Sequence, residues 1–161
     1  MRRLAFTSTM VLACSAWASA QDWRGIQPIR STCRDVQSIF GEDTCSKGSV
    51  SRVFSDETVV VVFAEGGCKA SSRDRDYDVP AGTVTDIVVM PRYPKRLFIS
   101  DLRVDRSKFK RKPDGDLLGS FVYTSLELGM KFTVSQSGRI NDITYFPGAR
   151  YNRLHCASKL K

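Results

Sequence analysis

Several side chains in this sequence could do chemistry, and the spacing around them limits what that chemistry is. The five cysteines are Cys14, Cys33, Cys45, Cys68 and Cys156, and no two form a C-x-x-C pair. A structural zinc site needs closely spaced Cys/His pairs. The one histidine, His155, supplies none, so no metal is expected. Cys33 stands where a helix begins, a place that can activate a thiolate, yet no base lies near it in the chain. His155 and Cys156 are chain neighbours, which seldom face each other, and no third group orients them. Asp74-x-Asp76-x-Asp78 opens like a calcium loop, but Val79 occupies the sixth position and Thr85 the twelfth, where glycine and a bidentate Glu belong. Glu65, Asp86, Asp101 and Asp142 are the carboxylates from which a small hydrolase would draw an acid and a base. Such a pair is defined by a separation of about 5 to 9 Å, which a sequence does not carry. There is no G-x-S-x-G, no H-E-x-x-H and no phosphate-binding glycine loop. The expectation is a protein without catalytic residues or cofactor, a small hydrolase being the alternative.

The chain start explains the cysteine count. Arg2 and Arg3 precede an apolar run, and Ala18-Ser19-Ala20 provides small residues at a cut, the layout of a signal peptide over residues 1–20. The run is interrupted by Thr7, Ser8, Thr9 and Ser15 and is too short to span a bilayer, which takes about 20 apolar residues. No later stretch is longer, so no transmembrane segment is expected. Val11-Leu12-Ala13-Cys14 resembles a lipobox, and the alternative is a lipid anchor on Cys14. Cleavage before Gln21 leaves residues 21–161 as one secreted or periplasmic domain with four cysteines. In an oxidising space these read as two disulfides with three possible connectivities.

Residues that could hold a partner are basic and aromatic. The chain carries a net charge of +8, and cations are densest from Arg103 to Lys112. That stretch reads as a solvated loop, and Arg106 to Lys112 is the candidate contact for an anionic surface. Nucleic acid is not expected, because no binding motif is present. Arg92-Tyr93-Pro94-Lys95-Arg96 and Tyr145-Phe146-Pro147-Gly148-Ala149-Arg150-Tyr151 combine Tyr with Arg, the types that dominate interfaces. Arg92, Tyr93, Lys95, Arg96, Tyr145, Arg150 and Tyr151 are therefore the candidate recognition edge, for an unknown protein or envelope component.

The elements that must position these residues follow from periodicity. Thr32 and Asp35 fit a capping box, Val36, Ile39 and Phe40 form an i, i+3, i+4 stripe, and Gly41 ends the helix. Cys33 lies on the same stripe and should face inward. Strands are expected at 51–55, 58–64, 83–90, 97–100, 120–124, 130–134 and 139–146. The fold class is α+β, a short helix on an antiparallel sheet. With Asp56-Glu57 as a two-residue turn, opposed residue numbers total 113, as do those of Cys45 and Cys68. This favours Cys45–Cys68 with Cys33–Cys156. The rival pairing is Cys33–Cys45 with Cys68–Cys156.

Thr32-x-x-x-Val36-x-x-x-x-Gly41, with a cysteine after the glycine and another past the next hairpin, resembles the repeat unit of the β-lactamase inhibitor protein and the SmpA/OmlA envelope lipoproteins. The likeness covers roughly residues 26–68. It implies a short helix on an antiparallel sheet and, carried over, a Cys45–Cys68 bridge. It also supports the alternative of a lipidated envelope assembly factor. Arg30-Ser31 stands where those units carry Gly-Met, and one copy is visible, so inhibition is not implied. The stretches from Trp23 to Thr32 and from Tyr77 to Val84 resemble secreted bacterial proteins, with no activity that transfers.

Overall fold

The computed structural model describes residues 22–41, 43–68, 76–92 and 97–156. The expected signal peptide, Cys14, Asp74, Tyr93, Lys95 and Arg96 lie outside these residues.

Helix α1 runs Cys33–Phe40. The Asp35 carboxylate accepts the Thr32 N–H at 2.7 Å and its hydroxyl at 2.9 Å, and Gly41 takes the left-handed conformation at φ 72°. Eight residues do not hold a helix alone. Val36 and Phe40 are fully buried against the sheet, each contributing about 2 kcal/mol by leaving water. The Cys33 N–H donates to the Gly82 carbonyl at 2.7 Å, which ties the helix start to the loop before the third strand.

Seven antiparallel strands form one sheet: β1 Ser49–Val53, β2 Glu57–Phe63, β3 Val84–Pro91, β4 Lys110–Pro113, β5 Phe121–Ser125, β6 Met130–Val134 and β7 Ile140–Tyr145. Their order is β1-β2-β3-β7-β6-β5-β4. Two meanders thus meet at a β3–β7 seam of three pairs, Ile87↔Tyr145, Val88↔Thr144 and Val89↔Ile143. Val59, Val61, Ile87 and Val89 point to one face and pack with α1, Trp23 and Ile26. Phe132, Ile143, Val134 and Ile140 point to the same face and pack with Phe109, Leu97, Ile99 and Leu102. Tyr145 touches both clusters. Among the described residues β1 and β4 are the sheet edges, and all four residues of β4 are exposed. No helix among the described residues is long and apolar enough to cross a membrane.

The structure departs from the sequence reading in three places. First, the β1–β2 pairs run from Ser49↔Val62 to Val53↔Thr58, so opposed residue numbers total 111. Phe54 leaves the strand to join Trp23 and Phe40, with ring centroids at 5.6 and 5.9 Å, and its N–H closes the turn on Glu57 O at 2.8 Å. Burial of that ring pulls the turn forward, and Cys45 no longer opposes Cys68. The favoured Cys45–Cys68 and Cys33–Cys156 pairing is overturned, and with it the bridge implied by the resemblance. The bonds are Cys33–Cys45 and Cys68–Cys156, with Cα separations of 5.0 and 5.4 Å. Buried Thr44 donates its hydroxyl to Cys33 O at 2.6 Å and turns Cys45 back to the helix start. Cys156 is brought to Cys68 by its own N–H, which donates to Asp76 O. Second, residues 97–100 form no strand; Phe98 makes an isolated bridge to Arg139, and Ile99–Asp101 turn. Third, the basic stretch is not a loop throughout, since a 3-10 turn at Arg106–Lys108 leads into β4.

Two predictions follow from these ties. In the chain-entropy account, closing the 88-residue Cys68–Cys156 separation stabilises by about 4.5 kcal/mol, against about 3 for the 12-residue Cys33–Cys45 loop. The Cys68→Ala/Cys156→Ala protein should therefore melt at a lower temperature than Cys33→Ala/Cys45→Ala in calorimetry. Glu57 Oε1 accepts from Trp23 Nε1 and from an Arg24 guanidinium nitrogen, both at 2.9 Å. Glu57→Ala leaves the Trp23 N–H buried without an acceptor and should cost about 2 kcal/mol, whereas Glu57→Gln should cost less; urea titration followed by tryptophan fluorescence separates the two.

Candidate functional site

The side chains with interface chemistry fall at the two ends of the sheet. One end holds the start of β3 and the end of β7. There the loop after Trp23 carries Ile29 at φ 68°, a left-handed conformation that is a strained one for a β-branched residue. It is held by the Ile29 N–H donating to Val84 O at 2.7 Å. The next residue, Arg30, sends its Nε to the Tyr151 hydroxyl at 3.3 Å, and Arg150 lies 4.7 Å from the Tyr151 ring centroid. Tyr151 and Arg150 ride on a 3-10 turn, Ala149–Leu154, directly before the Cys68–Cys156 bond. The result is a tyrosine flanked by two arginines on a covalently anchored surface.

Beside it, Tyr77 pairs with His155 through a backbone bridge, with ring centroids 4.3 Å apart. Burial first, and the Asp86 carboxylate second, push the Tyr77 hydroxyl up to about 12. Asp76 and Asp78 flank Tyr77 and carry backbone contacts to the C-terminal segment, Cys156 N–H to Asp76 O and Asp78 N–H to Leu154 O.

The expected recognition edge is divided by the sheet. Arg92 is exposed just after β3 and donates its N–H to Asp56 O at 2.8 Å. Arg30, beside Tyr151, sits by Val84 at the opposite end of β3. Eight strand residues put roughly 24 Å between these ends. Tyr145 is in the core seam; burial, then the carboxylates of Glu57 and Asp22, hold its hydroxyl above the ordinary phenol value. Of the seven candidates, Arg150 and Tyr151 come together, and Tyr93, Lys95 and Arg96 lie outside the described residues.

The carboxylates considered for hydrolysis are dispersed. Asp86 on β3 and Asp142 on β7 point to the sheet face opposite α1, by their alternation with Ile87 and Ile143. Glu65 lies exposed in the loop after β2, and Asp101 Oδ2 accepts the Phe98 N–H at 2.8 Å in its turn. Among the described residues no group of three His, Cys, Asp or Glu side chains gathers as metal ligands do.

The basic stretch resolves into separate roles. An Arg106 guanidinium nitrogen donates to Ile99 O at 3.0 Å, Lys108 Nζ reaches Glu127 Oε1 at 2.7 Å, and the Arg111 guanidinium lies 3.6 Å from the Phe121 ring centroid. Contact with Glu127 holds the Lys108 ammonium above its ordinary value. Lys110 and Lys112 alternate to the other face of the edge strand, in the same cross-strand rows as Thr124 and Val122.

No family model matches the chain, and no curated protein or solved structure matches it.

Two groups of surface residues carry no weight in the sequence reading: Arg30, and the pair Leu117-Leu118. Arg30 enters the sequence reading only as a departure from the Gly-Met of the resembling units and becomes relevant through its contact with Tyr151. The leucines had a signal, two adjacent apolar residues inside the turn-forming run Asp114-Gly115-Asp116…Gly119.

Because the Tyr77 hydroxyl titrates above its unfolded value near 10, the folded state holds a proton there that the unfolded chain loses. Its contribution to stability is complete below about pH 10 and is lost as pH rises toward 12. The unfolding free energy from urea titration should fall over that window by an amount on the order of 2 kcal/mol, and Tyr77→Phe should flatten the fall.

Proposed function

We propose that this chain is an exported binding protein without catalytic function, whose partner is another protein or a component of the cell envelope. The observation that carries the reading is Tyr151 set between Arg30 and Arg150 on a segment anchored by Cys68–Cys156. Tyr and Arg held rigid on a stiff support lose little conformational freedom on binding, which is how a few residues come to dominate an interface. The two disulfides fit a chain working outside the cytoplasm. Removal of residues 1–20 before Gln21 belongs to the same proposal, and the mass of the mature N-terminus distinguishes it from a lipid anchor on Cys14.

Photo-crosslinking to the native envelope should capture a defined set of partners with the wild-type protein, and Arg150→Ala/Tyr151→Ala should reduce that capture at least tenfold without changing the melting temperature. An unchanged capture pattern in the double variant would remove this surface from the reading.

A further inference from the structure

The two disulfides differ in what surrounds their sulfurs. In Cys68–Cys156, Cys156 is fully buried, and its N–H donates to Asp76 O at 2.9 Å. In Cys33–Cys45, Cys45 is exposed, and both cysteines line a surface cleft with Thr32, Arg34, Ala81 and Gly82. Gly82 sets only backbone against the other sulfur, since a Cβ there would stand 3.2 Å from Cys33 Sγ. Cys33 itself is half-buried and packs against the apolar cluster under α1. An incoming thiolate therefore has its open approach at Cys45. The charge about this bond is also uneven. Cys33 is the first residue of α1, where the helix N-terminus favours a thiolate, and the next residue is the cation Arg34. Asp35 in the same turn is engaged by the cap, its carboxylate accepting the Thr32 N–H and hydroxyl at 2.7 and 2.9 Å. On the other side of the bond, Asp43 Oδ1 accepts the Cys45 N–H at 3.0 Å, which puts negative charge beside Cys45.

Thiol–disulfide exchange is fast when the attacked sulfur is accessible and the departing sulfur is the more acidic thiol. Both conditions select the same direction here, attack on Cys45 and departure of Cys33. We propose that Cys33–Cys45 is a thiol-exchange site whose reaction partner is a dithiol. One thiolate of the dithiol attacks Cys45 Sγ. A bond forms between those two sulfurs, the Cys33–Cys45 bond breaks, and its electron pair leaves on Cys33 Sγ. The second thiolate of the dithiol then attacks the first sulfur, closing the dithiol into a disulfide and releasing Cys45. The dithiol is oxidised by two electrons, the Cys33–Cys45 bond is reduced by them, and the two protons shed by the dithiol end on Cys33 and Cys45. Cys68–Cys156 survives the exchange and keeps β3 and β7 in one covalent loop. The segment before β1 stays against α1 through the Thr44 hydroxyl, which donates to Cys33 O at 2.6 Å. The site is independent of the Tyr151 surface, whose residues take no part in the step.

The test treats the native, oxidised chain with dithiothreitol under folding conditions, quenches by alkylation at intervals and reads each cysteine by peptide mass spectrometry. Cys33 and Cys45 should become alkylated about tenfold faster than Cys68 and Cys156, while the sheet signal in circular dichroism persists. With glutathione as a single thiol and an early acid quench, the mixed disulfide should sit on Cys45 and leave Cys33 as the free thiol. Arg34→Ala should slow reduction of Cys33–Cys45 by about threefold and leave the rate at Cys68–Cys156 unchanged. The inference is overturned if the two bonds are reduced together or Cys68–Cys156 goes first, or if neither is reduced before the chain unfolds. Glutathione found chiefly on Cys33 also overturns it, as does a Cys33–Cys45 rate that Arg34→Ala leaves unchanged.

Discussion

Everything in this fold converges on the three-pair seam between β3 and β7. Each meander closes through neighbouring hairpins, but the two are joined in one sheet by Ile87, Val88 and Val89 facing Tyr145, Thr144 and Ile143. The seam is the long-range closure, and closing long loops costs entropy before contacts repay it. Tyr145 makes the junction possible, because its ring packs against both apolar clusters while its strand partners lie on either side, Ile87 and Met130. The Cys68–Cys156 bond acts on the same problem, since it encloses β3 and β7 in one covalent loop and restricts the unfolded chain.

Much of this architecture was legible in the residues. The helix carried its stripe, its acidic N3 residue and its terminating glycine, and the structure has all three. Strands with a buried face announced themselves by alternation, as Met130, Phe132 and Val134 do. Strand β4 could not be read that way, because an edge strand of Lys-Arg-Lys-Pro has no face to bury and shows no apolar period. The disulfide pairing failed for a related reason. Register arithmetic assumes that turn residues are the polar ones, and Phe54 left the strand to fill an aromatic cluster that no local pattern reveals. Of the candidate site, residue type was legible and placement was not: Tyr145 and Tyr151 are six residues apart in sequence, yet one is core and the other surface.

The two ends of the molecule are held by different forces. At the Tyr151 end, the covalent Cys68–Cys156 bond, buried Cys156 and the Tyr77–His155 pair fasten the C-terminal segment. At the other end, Trp23 and Arg24 meet on Glu57, and the Arg24 guanidinium lies 4.4 Å from the Phe54 ring centroid. That arrangement leaves the hairpin tips without a cross-link and lets their side chains stand in solvent. The covalently fastened end and the end without a cross-link are thereby separated along the strand direction.

The two margins of the sheet also differ. On β4, consecutive cations and Pro113 deter any strand from another chain, by repulsion and by a missing donor. On β1, Arg52 is exposed but reaches back to the Phe40 carbonyl and to within 5.9 Å of the Phe54 ring centroid, and Ser49, Ser51 and Val53 carry no charge. Lateral growth thus has one permissive margin and one closed margin, and two molecules that joined by their permissive margins would present only closed ones. In such a pair the outward margins would both be β4, and fibril-like extension would stop there.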